Sequence, residues 1–263
     1  MRLLEHIEDR KLVLGMIHLL PLPGTPFYKE GNLRASSEKA LHDASALYEG
    51  GADGCVIQTV DQVYQNGDEV DFARLASVAI IVHEVVNSMP GDFQVGIQIL
   101  FNALNASLAV AQVCGGSFIR SAVFIGATSN SAGIARANPN SFQNYRRKID
   151  AASIAVTAEI HGMHYHDLEN HEVVTLAEDA VQAGADAIEI ADVDEVVNEC
   201  LILRIKEKLP HLPVFLGGYT NHENVLRRIR YADGVFVGSC FQSEGWGGRI
   251  ESAKVREYVR LLR

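Results

Sequence analysis

The segment Tyr231–Ser239 reads Tyr-Ala-Asp-Gly-Val-Phe-Val-Gly-Ser and decides the fold. It contains the end of a helix, a tight turn, the apolar strand Val235–Val237 and a second turn. A strand that is apolar on both faces is typical of a parallel sheet covered by helices. The same pattern of Gly-Ala-Asp and a small residue begins at Gly51 and at Gly184. This weak repeat indicates a chain that is built from βα units.

Outward from this segment, strand and helix patterns alternate along the chain. The clearest helical pattern places Phe72, Leu75, Ala79, Val82 and Val86 on one apolar stripe. The length of 263 residues is the usual size of a parallel eight-stranded TIM (β/α)8 barrel. The predicted strands are Leu12–His18, Gly54–Val60, Gln94–Leu100, Phe118–Phe124, Ser153–His161, Ala187–Asp192, Pro213–Gly217 and Gly234–Cys240.

We therefore predict one α/β domain, residues 1–263, with the first and last strands as neighbours. The alternative architecture is an open, doubly wound sheet, which usually carries a glycine-rich nucleotide fingerprint after its first strand. Here the first strand is followed by Leu19–Gly24, a stiff segment with two prolines, and no Walker A loop occurs. The sequence favours the barrel and predicts no nucleotide cofactor.

Composition excludes several classes of function. The formal net charge of −10 disfavours binding to nucleic acid, and no apolar run is long enough for membrane insertion. The apolar stretch Leu12–Leu22 is interrupted by His18 and Pro21 and follows acidic residues, so we do not interpret it as a signal peptide. The four cysteines are scattered and form no C-x-x-C pair. We predict a cytoplasmic protein, and a homo-oligomer is compatible with this sequence.

A Gly-Gly turn after predicted strand seven and a Gly-Ser turn after predicted strand eight predict an anion site. The first is Gly217-Gly218, and the second is Gly238-Ser239. Glycines permit close backbone approach, and free N–H groups at these turns favour a phosphate. Thr220 and Glu223 have the spacing of a capping box that would open the next helix. The alternative is that both segments are only tight turns.

Strand five carries a cluster of ionisable side chains. Glu159 and His161 share strand parity, so they are predicted to point the same way and to form an acid–base pair. His164 and His166 follow on the loop. Their spacing matches neither HExxH nor a zinc finger, so we predict no metal, with a metal site and solvated loop histidines as the alternatives.

Further polar residues end other strands. His18, Gln58 and Asn102 end strands one, two and three. Such groups are costly when they are buried without a partner, so each is expected to face a ligand or water. Strand six adds Glu189 and Asp192, and Arg120 in strand four is a candidate partner for a carboxylate or a ligand. The catalytic candidates are His161, Glu159, His18, Asn102 and His164.

The run Leu14–Gly24 resembles the opening of the BtpA family, the photosystem I biogenesis protein family that includes SgcQ-like TIM-barrel proteins. The resemblance continues through Phe118–Arg120, Tyr145-Arg146, Gly217–Asn224 and Ala232–Ser239, so it covers nearly the whole chain. It implies a TIM barrel that is related to phosphate-binding enzymes.

The chain departs from this family pattern at its predicted site. The family's Glu-Asn-Phe-Gly-Asp corresponds here to Gln58–Gln62, and its Arg-Asn-Asp to Phe101–Ala103. Its Thr-Asp-Gln-Gly becomes Ser129–Gly133, and its His-x-Lys-His becomes His161–His164, with Met163 in place of the lysine. The resemblance thus implies that several charged groups of both signs are replaced.

Taken together, these patterns predict an enzyme for a small phosphorylated metabolite, such as a sugar phosphate, with isomerase or lyase proton-transfer chemistry. Gly217, Gly218, Gly238 and Ser239 would hold the phosphate, and no cofactor is expected. The alternative is a non-catalytic binding or assembly factor, as the family's photosystem I name implies.

Overall fold

The computed structural model describes residue 7, residues 9–60, residue 63 and residues 67–243 and 245–263. In this part of the chain, eight parallel strands close into a barrel. The barrel strands are β1 Leu12–Leu19, β2 Gly54–Thr59, β3 Gln94–Gln98, β4 Phe118–Ser121, β7 Ala155–His161, β8 Ala187–Ile190, β9 Val214–Leu216 and β10 Gly234–Val237. Their order around the barrel is β1-β10-β9-β8-β7-β4-β3-β2. Leu12 of β1 pairs with Gly234 of β10, which closes the sheet. The predicted TIM barrel and its closure are confirmed.

Helices cover the outside of the barrel. They are α1 Asn32–Gly50, α2 Phe72–Ser88, α3 Leu104–Cys114, α4 Pro139–Lys148, α5 Val173–Gln182, α6 Glu195–Lys208, α7 Val225–Arg228 and α8 Ser252–Leu262. A short 3₁₀ turn, Ser239–Phe241, follows β10. Among the described helices, none combines the length and the apolar character that crossing a bilayer requires.

A hairpin between β4 and α4 was not predicted. Its strands, β5 Ala127–Asn130 and β6 Gly133–Arg136, pair antiparallel outside the barrel. The strands are short and partly polar, so they lack the alternation that indicates a strand. The sequence prediction also extended β4 to Phe124, whereas pairing with β7 ends at Ser121.

The repeated Gly-Ala-Asp pattern closes the end of the barrel where the strands begin. Gly51 and Gly184 adopt positive φ angles of 88° and 98°, as a left-handed helix end requires. The carboxylate of Asp53 accepts a hydrogen bond from the amide of Val13. Asp186 and Asp233 do the same for Val156 and Val214. The repeat therefore ties each helix end to the preceding strand.

Alternation along the strands fills the barrel in layers. Leu12, Leu14 and Met16 belong to a small apolar cluster with Val56, Phe118, Ala155, Ala187, Phe215 and Phe236. Because strand side chains alternate, the next inward residues toward the strand ends are two positions further along. These residues form a buried polar layer, which comprises His18, Gln58, Gln98, Arg120, Glu159 and Glu189.

Candidate active site

A pocket of about 1010 Å³ opens at the carboxyl ends of the barrel strands. TIM-barrel active sites lie at this end, where the loops after the strands converge. The polar layer forms part of its floor through His18, Gln58 and Arg120. The loops after β7, β9 and β10 form much of its wall.

Arg120 is the centre of the floor. Its Nε donates to Glu189 Oε2 at 2.6 Å, its Nη1 donates to Gln98 Oε1 at 2.8 Å, and Glu189 Oε1 accepts from Nη2. The guanidinium also lies 3.6 Å from Glu159 and over the ring of Phe236. Burial alone would lower the pKa of Arg120, but the charges of Glu189 and Glu159 raise it. Arg120 is thus a permanent buried cation.

Glu159 and His164 form a hydrogen-bonded pair of a carboxylate and an imidazole. His164 Nδ1 lies 2.8 Å from Glu159 Oε2, and the His164 amide donates to Glu159 Oε1 at 2.6 Å. Burial would raise the pKa of Glu159, but His164 and Arg120 together lower it to about 2. A carboxylate on Nδ1 orients the imidazole and leaves Nε2 as the reactive nitrogen. His164 lines the pocket, so this nitrogen is available for proton transfer.

The two carboxylates of the floor have different environments. Burial raises the pKa of Glu189 above its ordinary value, and the neighbouring charge of Glu159 adds to this effect. The pKa of Glu159 moves in the opposite direction. Carboxylates whose pKa values are driven apart are typical of sites that move protons.

The predicted parity of Glu159 and His161 is wrong. Glu159 pairs with Glu189, but His161 pairs with Ile190, because the register shifts between Glu159 and His161. This irregularity turns His161 away from the barrel axis. In its outward position, His161 Nε2 lies 2.9 Å from Asp192 Oδ2. His161 is not among the residues that line the pocket.

His18 is a buried, neutral imidazole. Burial is the largest cause that lowers the pKa of His18 to about 4, and Lys39 and Arg120 contribute to the decrease. Its Nδ1 lies 3.1 Å from the Gln242 side-chain amide. The charge of Asp43 and a hydrogen bond to the Gln58 side chain act in the opposite direction and raise the pKa of His18. The ring centroid is 5.0 Å from that of Trp246. His18 therefore presents an uncharged ring to the pocket at neutral pH.

The predicted phosphate loops lie side by side in the pocket wall. Gly217, Gly218, Gly238 and Ser239 all line it. Gly217 donates its amide to Ile190, whereas the amides of Gly218 and Ser239 have no hydrogen-bond acceptor among the described residues. A Cβ on Gly217 would lie 2.0 Å from Glu189 Oε1, and one on Gly218 would lie 2.6 Å from Met163 Cε. Only glycine permits this close approach of the backbone.

The capping box that was predicted from Thr220 and Glu223 is wrong. The side chain of Asn221 accepts hydrogen bonds from the amides of Glu223 and Asn224 instead. The side-chain carbonyl of asparagine satisfies these amides, so α7 begins later than the Thr220–Glu223 spacing indicated. Arg228 of α7 reaches back to the carbonyls of Asp192 and Val193 and lines the pocket.

The other candidates lie around the pocket. Asn102 donates to the Arg136 carbonyl of the hairpin at 3.3 Å and does not line the pocket. His166 is anchored through its amide to Thr128 of the same hairpin. Among the described residues, no group of three or more His, Cys, Asp or Glu side chains is placed to hold a metal ion.

Phe101, Met163 and Gln58, at which the resemblance implied charged groups in the family, are uncharged residues near the mouth of the pocket. Phe101 is buried, and its ring centroid is 6.3 Å from that of His164. Met163 projects over Gly218, and Gln58 forms part of the floor. Asp61 and Gln62, also in a departing segment, lie outside the described residues.

Sequence reasoning missed three residues of this site. Gln98 accepts hydrogen bonds from both Gln58 and Arg120, and Gln242 contacts His18. Gln98 lies two residues after Gly96 on the same strand, so both residues face the same side of the sheet. This alternation is the signal that could have indicated the inward position of Gln98. Gln242 and Trp246 lie on the loop after β10, where no pattern predicts an inward orientation.

Comparisons of the sequence give a consistent result. The model of the BtpA family matches residues 9–263. An uncharacterized protein of Archaeoglobus fulgidus is 30% identical over 258 residues, which cover 96% of this chain and 99% of the relative. The photosystem I biogenesis protein BtpA of Synechocystis is 28% identical over 275 residues, covering 100% of this chain and 91% of that protein.

Solved structures share the fold at low identity. Tryptophan synthase from M. tuberculosis, in an aminoacrylate-bound form, has a TM-score of 0.64 at 14% identity, covering 100% of this chain and 99% of that chain. The native KDPGal structure has a TM-score of 0.60 at 13% identity, with 94% and 92% covered. N-(5'-phosphoribosyl)anthranilate isomerase from Pyrococcus furiosus has a TM-score of 0.57 at 16% identity, with 94% and 97% covered. These similarities establish the barrel fold.

Proposed function

This chain belongs to the BtpA family, and from that membership and the geometry of its pocket we propose that it is a single-domain enzyme for a small phosphorylated metabolite. The substrate class is a sugar phosphate, and the reaction is an isomerisation or a lyase reaction that proceeds by proton transfer. The observation that carries the proposal is the Glu159–His164 pair, whose imidazole lines the same pocket as the glycine loops after β9 and β10.

The loops after β9 and β10 would bind the phosphate. The free amides of Gly218 and Ser239 can donate to its oxygens, and backbone donors suit an anion in a protein with an acidic surface. Anchoring the substrate at one end would hold its reacting carbon in one orientation, which is a large part of catalysis by proximity. The isomerase from Pyrococcus furiosus named above acts on a phosphoribosyl compound by its name, which is chemistry of this class.

His164 would move the proton. With Nδ1 held by Glu159, Nε2 can take a proton from the carbon next to a carbonyl and return it to a neighbouring atom. In an isomerisation no atom is lost, because the proton leaves one carbon and is delivered to the adjacent position. Arg120 keeps Glu159 ionised and balances part of the negative charge on the floor.

A binding experiment tests the phosphate site. Calorimetry and thermal shift would compare ribose 5-phosphate with ribose, and stabilisation by the phosphate ester alone is expected because a ligand of the folded state raises Tm. The variants Gly238→Gln and Gly238→Glu form a matched pair. A Cβ at residue 238 has no neighbour closer than 3.7 Å, so both variants should fold.

The two variants differ in charge but hardly in size. Gly238→Glu should abolish binding through repulsion, and Gly238→Gln should retain more of it. Equal binding by both variants and the wild type would overturn the phosphate assignment. The alternative, a non-catalytic assembly factor of the kind named for the Synechocystis relative, predicts binding of a partner protein and no turnover of any phosphorylated substrate that binds.

A further inference from the structure

The whole pocket is larger than a bare sugar phosphate requires. Its volume of about 1010 Å³ is at the upper end of pockets that enclose drug-sized ligands. Besides Trp246, its lining includes the apolar side chains of Met16 and Val60 and the thiol of Cys240, which offer few groups that could recognise sugar hydroxyls. This part of the lining is suited to an apolar, planar portion of a ligand.

Trp246 is the aromatic surface in this region. Its indole contacts the His18 ring at a centroid distance of 5.0 Å, and Trp246 is 67% exposed to solvent. A tryptophan with so much open apolar area is a typical binding surface. The neighbouring His18 ring carries no charge at neutral pH, so the paired rings form an uncharged face.

The loop that carries Trp246 is anchored at both sides. The amide of Gly247 donates to Gln242 Oε1 at 2.9 Å, and Gln242 contacts His18. The amide of Ile250 donates to the buried carboxylate of Asp43 at 2.9 Å. These bonds hold the backbone of the loop in place before a ligand arrives, which reduces the entropy that binding must overcome.

The ring surface and the phosphate loops are close together. A Cβ on Gly238 would lie 3.7 Å from His18 Cε1, and His18 in turn contacts Trp246. One imidazole therefore separates the phosphate loop from the indole. A pentose would span this distance, with its phosphate at Gly238 and a substituent on the indole.

We propose that Trp246 is a stacking platform and that the substrate is a sugar phosphate bearing a flat aromatic ring. This inference rests on the proposed function, because it assumes that the phosphate binds at the glycine loops. Stacking of a base on an aromatic side chain contributes about 1–3 kcal/mol. A ring-bearing ligand should therefore bind from about fivefold to more than about a hundredfold more tightly than the sugar phosphate alone.

The test uses the full chain and three probes: ribose 5-phosphate, adenosine 5'-monophosphate and uridine 5'-monophosphate. Trp246 is the sole tryptophan of the sequence, so its fluorescence reports stacking directly, while calorimetry reports binding. We expect both nucleotides to bind at least about fivefold more tightly than ribose 5-phosphate and to quench the tryptophan emission.

Variants separate stacking from general loss of structure. Trp246→Leu should remove the preference for the nucleotides but retain ribose 5-phosphate binding, and Trp246→Phe should keep most of the preference. Tyr48→Leu is the control, because Tyr48 is an exposed aromatic residue at the opposite end of the barrel, beside Phe93. It should bind all three probes like the wild type.

The outcomes distinguish this inference from the proposed function. If ribose 5-phosphate binds but neither nucleotide binds more tightly or changes the fluorescence, the stacking platform is wrong and the phosphate site stands. If no phosphorylated probe binds, the proposed function fails first. If Trp246→Leu retains the full preference, the ring binds elsewhere and the inference is overturned.

Discussion

The Nε atom of Arg120 lies 2.6 Å from Oε2 of Glu189 inside the barrel, so a side chain of β4 reaches past β7 to a side chain of β8. Glu159, on the intervening β7, lies 3.6 Å from the same guanidinium. Three strands thus contribute charges of opposite sign to one buried layer. This layer supports the acid–base pair of the site, because Arg120 contacts the carboxylate that orients His164.

Removing the charge of Arg120 should destabilise the protein more than removing that of Glu189. Arg120→Met leaves two buried carboxylates without their cation, which should cost about 3–5 kcal/mol of the free energy of unfolding. Glu189→Gln should cost less, because Arg120 retains Glu159. Urea unfolding measures both. The control is Arg34→Met at the exposed Arg34–Glu38 pair, which should change stability by less than about 1 kcal/mol. An Arg120→Met variant that loses no more unfolding free energy than this control would contradict the prediction.

His164, and not His161, should be required for turnover. For a sugar phosphate that the wild type converts, His164→Gln and Glu159→Gln should each lower kcat by about two orders of magnitude or more, since they remove the base or the group that orients it. His161→Gln should change kcat by only a small factor, because His161 contacts Asp192 away from the pocket lining. Steady-state kinetics would decide, and comparable losses for both histidines would contradict this assignment.

The barrel was predictable because its strands are apolar on both faces and its turns repeat. The inward position of His18 and Arg120 follows from strand alternation with Met16 and Phe118, which a sequence displays. Alternation failed at His161, because one register shift reverses the side to which a residue points, and no residue type there indicates the shift. The sequence therefore predicted the barrel strands and the cluster of ionisable residues but paired Glu159 with the wrong histidine.

Loop residues were beyond prediction for a different reason. Gln242 and Trp246 reach the pocket through contacts between a loop and β1, which are far apart in the sequence. Local patterns carry no information about such contacts. The glycines after β9 and β10 were predicted at the correct place because TIM barrels bring these two loops together by topology alone.

The buried His18 should make stability depend on pH. Burial lowers the pKa of His18 from 6.5 to about 4 in the folded state. Above pH 6.5 the imidazole is neutral in both states and contributes no dependence. As pH falls from 6.5 to about 4, the unfolded chain binds the proton first, so stability decreases by up to about 3 kcal/mol.

Substitution of His18 isolates this contribution. His18→Gln should show a smaller loss of unfolding free energy between pH 7 and pH 4 than the wild type, whereas the exposed-site control His83→Gln should retain the wild-type loss. Denaturant unfolding at several pH values measures the difference. Identical pH profiles for the wild type and His18→Gln would show that the imidazole is not held neutral.

Met163→Lys should strengthen the binding of a phosphorylated ligand. The Cε atom of Met163 lies 2.6 Å from the position that a Cβ on Gly218 would take, so the end of this side chain covers the predicted phosphate loop. The resemblance to the family implies a lysine at this position, and the ammonium of Met163→Lys would reach the same region. Two unit charges about 4 Å apart in water attract by about 1 kcal/mol, which corresponds to roughly a fivefold decrease in Kd. Since Met163 is half exposed, this gain should fall as salt is added.

Met163→Gln is the control, because it is similar in length and uncharged, and it should bind like the wild type. Calorimetry with ribose 5-phosphate at low and high salt measures the effect. If the lysine and glutamine variants bind equally at low salt, the phosphate does not lie beneath residue 163, and the apolar replacement at this position has not weakened anion binding.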